Sequence, residues 1–191
     1  MRTEKAGTER LYTYEDYLKI DDDNQYELIG GRLILVPAPR TIHQELSGEL
    51  YSAVKEFVRK HDLGKVFYAP MDVLLSETEK PQPDILFIAK NRLDIITETN
   101  IQGAPDLVVE ILSPSTGKND RVEKSRMYYK HGVKEYWIAD PDHKTIEVFT
   151  RAEQSWNLFQ ACDDEDILTS PLLTGLEIQL RDIFPQTSSH G

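Results

Sequence analysis

Asp84, Glu110 and Lys124 are the residues whose types could do chemistry together. Two acids offer hard oxygen donors, which favour Mg2+ with Mn2+ as a substitute, and Mg2+ takes only one or two protein carboxylates. Waters, the main-chain carbonyl of Ile111 or a substrate phosphate would complete its shell. A cation so held polarises phosphorus, lowers the pKa of a bound water and stabilises a leaving oxygen. An amine beside that water orients it and offsets charge building in the transition state. The chemistry that results is phosphodiester hydrolysis. The alternative is that Glu110 forms half of a structural ion pair, since such pairs also perturb carboxylates. Spacing does not decide between them: proline–aspartate pairs are common in turns, and Pro141-Asp142 joins the pairs at Pro83 and Pro105.

The elements that must position these groups are legible as apolar runs. Residues 105–114 (PDLVVEILSP) read as a buried strand with proline at both ends. Alternation sends Asp106, Val108, Glu110 and Leu112 to one face. An ionised carboxylate there is costly unless a basic side chain or a cation pairs with it. Asp84 opens a second run, 83–88 (PDILFI). If the two strands are neighbours in one sheet, Asp84 and Glu110 converge on one cation. A helix over about 119–131 follows, with Asp120 and Glu123 as a capping-box pair and Gly132 as its stop. Asp120, Lys124, Tyr128 and His131 recur on one broad face of it. Packed back on the Glu110 strand, this helix would deliver Lys124.

Upstream, 13–20 suggests a short helix capped by Thr13 with Asp16. Asp21-Asp22-Asp23 reads as a solvated turn rather than a metal loop. Residues 25–36 form a hairpin turning at Gly30-Gly31, with Glu27 assigned to the surface. A long helix is expected over about 41–60, with Thr41 and Gln44 as a capping box; His43 and Glu49 flank its apolar stripe. Residues 65–75 read as one strand containing Asp72, and the short polar link 76–82 makes it the antiparallel neighbour of 83–90. The link 91–104 holds a helical turn around Arg92 to Ile96. Strands at 134–140 and 145–150 make a hairpin, and further strands fall at 156–162 and 176–180; the tail 186–191 is expected to be disordered.

A chain of 191 residues is expected to form a single domain, with a core at about 41–140, an N-terminal helix and hairpin at 11–36 and C-terminal strands at 145–184. With 39% hydrophobic and 29% charged residues, the composition is that of a soluble globular protein. No apolar run approaches the roughly 20 residues of a membrane span, and the N-terminus has no signal-peptide core. The single cysteine, Cys162, excludes an intramolecular disulfide and a cysteine-cluster metal site. These features fit the cytoplasm. The net charge of −11, from 22 basic and 33 acidic residues, is the wrong sign for a protein that coats nucleic acid through its phosphates.

The series Tyr26-Glu-Leu-Ile29, His43, Pro70-Met-Asp72, Pro83-Asp84, the run 103–116 (GAPDLVVEILSPST), Asp120, Lys124, Tyr128, Gly132-Val133, Glu135-Tyr-Trp137 and Asp140-Pro141 resembles the Uma-type family of putative restriction endonucleases, from about residue 11 to 184. The resemblance implies an α/β (α+β) restriction-endonuclease-like core of the PD-(D/E)xK superfamily: a central mixed sheet flanked by helices, here with additional N- and C-terminal β-hairpins. Asp84 matches the aspartate of that motif and Glu110 its second acid. The motif's lysine would stand at Leu112. Within this family its role moves to the following helix, hence to Lys124. His43, Glu49, Asp72, Asp120 and Tyr128 are the supporting candidates. The function so implied is Mg2+-dependent hydrolysis of DNA, and cutting both strands of a duplex suits a homodimer. Two other readings stand beside it. One is a catalytically silent nucleic-acid-binding or protein-interaction module that keeps the fold; the other is a small-molecule phosphohydrolase on the same metal site.

Overall fold

The computed structural model describes residues 10–113 and 118–184, without the side chains of 118–121. The elements run α1 (Tyr14–Tyr17), β1 (Tyr26–Ile29), β2 (Arg32–Leu35), α2 (Thr41–Lys60), β3 (Gly64–Tyr68), β4 (Val73–Leu74), β5 (Ile85–Ala89), a 3-10 helix (Lys90–Ile95), β6 (Ile101–Gln102), β7 (Leu107–Ile111), α3 (Lys118–His131), β8 (Glu135–Asp140), β9 (Thr145–Arg151), β10 (Trp156–Cys162), β11 (Ile167–Thr169), β12 (Glu177–Gln179) and α4 (Leu180–Ile183). Six strands form the central sheet in the order β10-β9-β8-β7-β5-β3. It is mixed: β7 and β8 are parallel, and the other neighbours are antiparallel. The parallel step needs a crossover, and α3 supplies it.

The two faces of the sheet explain the sequence pattern. Odd positions of β7 (Leu107, Val109, Ile111) join Ile85, Phe87 and Trp137 in a core closed by the α2 stripe Leu46, Leu50, Val54 and Val58. Each of those helix side chains is almost fully buried, which stabilises by about 1.5–3 kcal/mol apiece. The C-terminal segment packs into the same core through Leu168, Leu173, Ile178 and Phe184, alongside buried Cys162. On the opposite face Val108 meets Ile29 of β1, Met127 and Tyr128 of α3, and Tyr136 of β8. So α2 covers one face, while α3 and the N-terminal hairpin cover the other. No helix among the described residues is long and apolar enough to cross a membrane.

Much of the expected order is present: helix, β3, β5, β7, helix, β8. The capping box of Thr13 and Asp16 closes α1, and Gly30 and Gly31 turn the first hairpin at φ 56° and 77°. Three expectations are corrected. Residues 65–75 are not one strand: β3 stops at Tyr68, and β4 leaves the central sheet to pair in parallel with β6. Pro70 lies in the gap, where it has no N–H to give a ladder. Thr41 does not cap α2; it is the first helical residue, and Arg40 takes the N-cap position with no side-chain hydrogen bond. The strand expected at 176–180 is shorter, since Leu180 already begins α4, and its partner β11 was not anticipated. The tail 186–191 and the Asp120–Glu123 capping pair lie outside what is described.

Candidate functional site

β5 and β7 are antiparallel neighbours with Ile85 opposite Val109. One step further along the register sets Asp84 across from Glu110, and directly opposed residues project on the same face. Asp84 accepts the Ile111 N–H through Oδ2 at 2.7 Å, and its Oδ1 lies 3.3 Å from Nε2 of His43 at the start of α2. The Ile111 main chain also faces the His43 ring. Burial opposes a charge on that ring, but Asp84, with help from Glu110, raises its pKa. His43 Nδ1 is buried and has no hydrogen-bond partner among the described residues.

Glu110 is 8% exposed. Tyr128 donates to its Oε1 at 2.5 Å, and Lys124 to its Oε2 at 3.0 Å. Both donors come from α3, one turn apart, which is why that helix must dock on β7 for the cluster to exist. Lys124 Nζ also lies 2.9 Å from Oε1 of Glu27 on β1, and the same oxygen accepts the Gln82 N–H at 2.7 Å. Burial pushes the Glu110 carboxyl up; Lys124 opposes this, Glu27 and Asp84 add to it, and the result is about 7. Burial works against the Lys124 charge, but Glu110 and Glu27 outweigh it and hold its pKa well above normal. Burial, then Glu110 and Glu27, hold the Tyr128 phenol protonated.

Asp84, Glu110, Lys124, Tyr128, His43 and the Ile111 main chain therefore gather at one place. The other candidates do not. Asp72 pairs with Lys80 at 2.9 Å and accepts from the Gln82 amide at 2.7 Å. Lys80 is fully buried, donates to the Tyr26 carbonyl at 2.6 Å and sits over the Tyr17 ring, so Asp72 belongs to a structural clip. Glu49 is exposed on α2. The Asp120 side chain lies outside the described residues. Glu27, assigned to the surface from its sequence, is 5% exposed and reaches Lys124. The available signal was its place inside an apolar strand; what it lacked was any clue that β1 lies against α3. Asp106, just before β7, is held in structural ion pairs: Arg92 and Lys134 lie 2.9 and 2.7 Å from its Oδ1.

No group of three or more His, Cys, Asp or Glu side chains that could hold a metal ion occurs among the described residues. The donor set still suits a hard cation of the Mg2+ type, which takes one or two carboxylates and fills its shell with water. Among the described residues each Glu110 oxygen accepts one hydrogen bond, and a carboxylate oxygen has room for a second. The upward push on Glu110 by Glu27 and Asp84 marks an excess of negative charge that a divalent ion would relieve. Asp84, Glu110 and the Ile111 carbonyl are the residues that would hold it.

These groups open into a cavity of about 600 Å3, lined also by the 34–40 segment, Gln25, Gln44 and Leu112. Comparison with known proteins gives one family and one fold. The family model described as "Uma2: Putative restriction endonuclease" matches residues 13–181. The fold matches the crystal structure of "a putative nuclease belonging to DUF820" from Anabaena variabilis ATCC 29413. The TM-score is 0.75 and the identity 24%, over 90% of this chain and 97% of that one. At that identity the likeness is one of fold. No curated protein matches the chain.

Proposed function

Because the chain belongs to the Uma2 family of putative restriction endonucleases, we propose that it hydrolyses phosphodiester bonds of DNA with the help of Mg2+ or Mn2+. The observation that carries this is the meeting of Asp84 and Glu110, distant in sequence, with the Lys124 amine from the next element. A divalent ion held by Asp84, Glu110 and the Ile111 carbonyl would polarise the phosphate and acidify a water. Lys124 orients the attacking water and offsets charge growing on the phosphate. Tyr128 fixes the Glu110 carboxylate, and Glu27 fixes the amine; partners of this kind keep first-contact groups aimed. His43 orders Asp84 from the opposite side of the sheet end.

One feature favours a second reading. Both Glu110 oxygens are already engaged by Lys124 and Tyr128, as they would be in a catalytically silent module that keeps the fold. A titration with Mg2+ and Mn2+, followed by cleavage assays on supercoiled, linear duplex and single-stranded DNA, separates the two. Metal-dependent cleavage that Asp84→Ala and Glu110→Ala abolish is the expected result. A protein that binds no divalent ion and cuts none of these substrates is the silent module.

A further inference from the structure

The cavity beside Asp84 and Glu110 is larger than a scissile phosphate needs, and its lining mixes apolar, amide and charged residues. Its apolar lining includes Ile34 and Val36 from the end of the hairpin, Pro37 after them, and Leu112, the position where the superfamily's lysine would stand. Gln25, beside Val36 in the hairpin, and Gln44 add side-chain amides to the lining. Lys124 lies among Glu27, Asp84 and Glu110, and Asp23 and Arg40 also stand on the lining. Apolar groups, a few amides and a cluster of charges around one cavity suit a flat heterocycle attached to a phosphate. Its volume of about 600 Å3 admits a nucleoside-sized group.

We infer that this cavity takes one unpaired nucleobase next to the phosphate being cut, so that the substrate class is unpaired DNA. The inference rests on the nuclease reading above and adds to it the form of the strand. Apolar faces cover the planes of the base, and the Gln25 and Gln44 amides, each both donor and acceptor, meet its edge. A base inside a duplex must first be unpaired and swung out of the stack, at a cost that is least where it is already single-stranded. The local charge agrees. With three acids around one lysine, the site welcomes one phosphate accompanied by a cation rather than the dense phosphate array of a duplex.

Binding tests the slot without requiring turnover. The full chain, in Ca2+ to hold the acids neutralised, is titrated into a fluorescein-labelled 12-nucleotide single strand. The same strand as a blunt duplex and the same backbone made abasic throughout are measured in parallel by anisotropy. The single strand should bind about tenfold or more tighter than either. Equal or tighter binding of the duplex overturns the inference. Equal binding of the abasic strand also overturns it, since backbone flexibility would then be enough. Ca2+ is then replaced by Mg2+ and cleavage is followed. Preference for the single strand without any cleavage supports the slot and counts against the nuclease reading; cleavage with duplex preferred does the reverse.

Discussion

At Glu110 the environment sets a pH dependence whose sign can be stated. Its carboxyl is raised from an ordinary 4.5 to about 7, mainly by burial. A raised folded-state pKa gives stability that is full below the unfolded value and is lost as pH rises through the folded one. His43, also raised, acts in the same direction at the upper end of that window. Metal-free protein should therefore melt at falling temperature from about pH 5 to 7, and Glu110→Gln should flatten that slope. A variant that tracks the parent would place the titration elsewhere. Divalent-ion affinity should climb over the same range, because the ion displaces the proton. At Lys124, replacement by Met leaves Glu27 and Glu110 facing each other in a buried site. The expected cost without metal is about 3–5 kcal/mol, partly restored by Mg2+, with cleavage down about 100-fold or more. Glu27→Gln keeps an acceptor for Gln82 but halves the anionic cradle of the amine. It should lower kcat about tenfold while leaving metal affinity nearly unchanged. Glu110 stood out from residue type and strand pattern, whereas Lys124 and His43, both on helices, were singled out by helical spacing and the family resemblance. Glu27 was not, because a carboxylate in a short strand looks the same whether a helix or water lies opposite.

At the scale of elements, local grammar and tertiary packing part company. β5 and β7 declare themselves because strands buried on both faces read as unbroken apolar runs. α2 does so through its apolar stripe, although the expected Thr41 box failed, since N-cap identity depends on where the chain leaves Pro37 and Pro39. β4 and β11 have only two and three residues, too few for a periodic signal, and were found only by their partners. Two glycines test the packing of neighbouring elements. Gly48, inside α2, has nothing within 4 Å of where a Cβ would stand, so Gly48→Ala should stabilise by about 0.5–1 kcal/mol. At Gly64, φ is 152° and a Cβ would lie 2.0 Å from the Ile88 carbonyl oxygen. Gly64→Ala should therefore cost about 3 kcal/mol or more by forcing β3 away from β5. Paired denaturant melts would show the two alanines moving in opposite directions; two shifts of the same sign would contradict this packing.

Across the whole molecule, the sheet is closed on the α2 face by residues from the far end of the chain. Leu168, Leu173, Ile178 and Phe184 are each at most 5% exposed within that core. Deleting residues 167–191 should abolish cooperative unfolding, monitored by near-UV circular dichroism, because several fully buried side chains vanish at once. That closure was not legible: sequence placed strands there but gave no sign of which face they would cover. The buried carboxyl of Glu135 fastens the same segment, accepting from Ser170 at 2.6 Å, the Leu172 N–H at 2.9 Å and the Trp137 indole at 2.8 Å. The crossover between β7 and β8 has a different kind of consequence. It seats the two acids on the sheet and the amine on a helix, so the halves are separable by inheritance. Under the proposed nuclease role, one change on α3 would remove the amine while the sheet stayed intact, and a lysine introduced at Leu112 would return an amine along the strand.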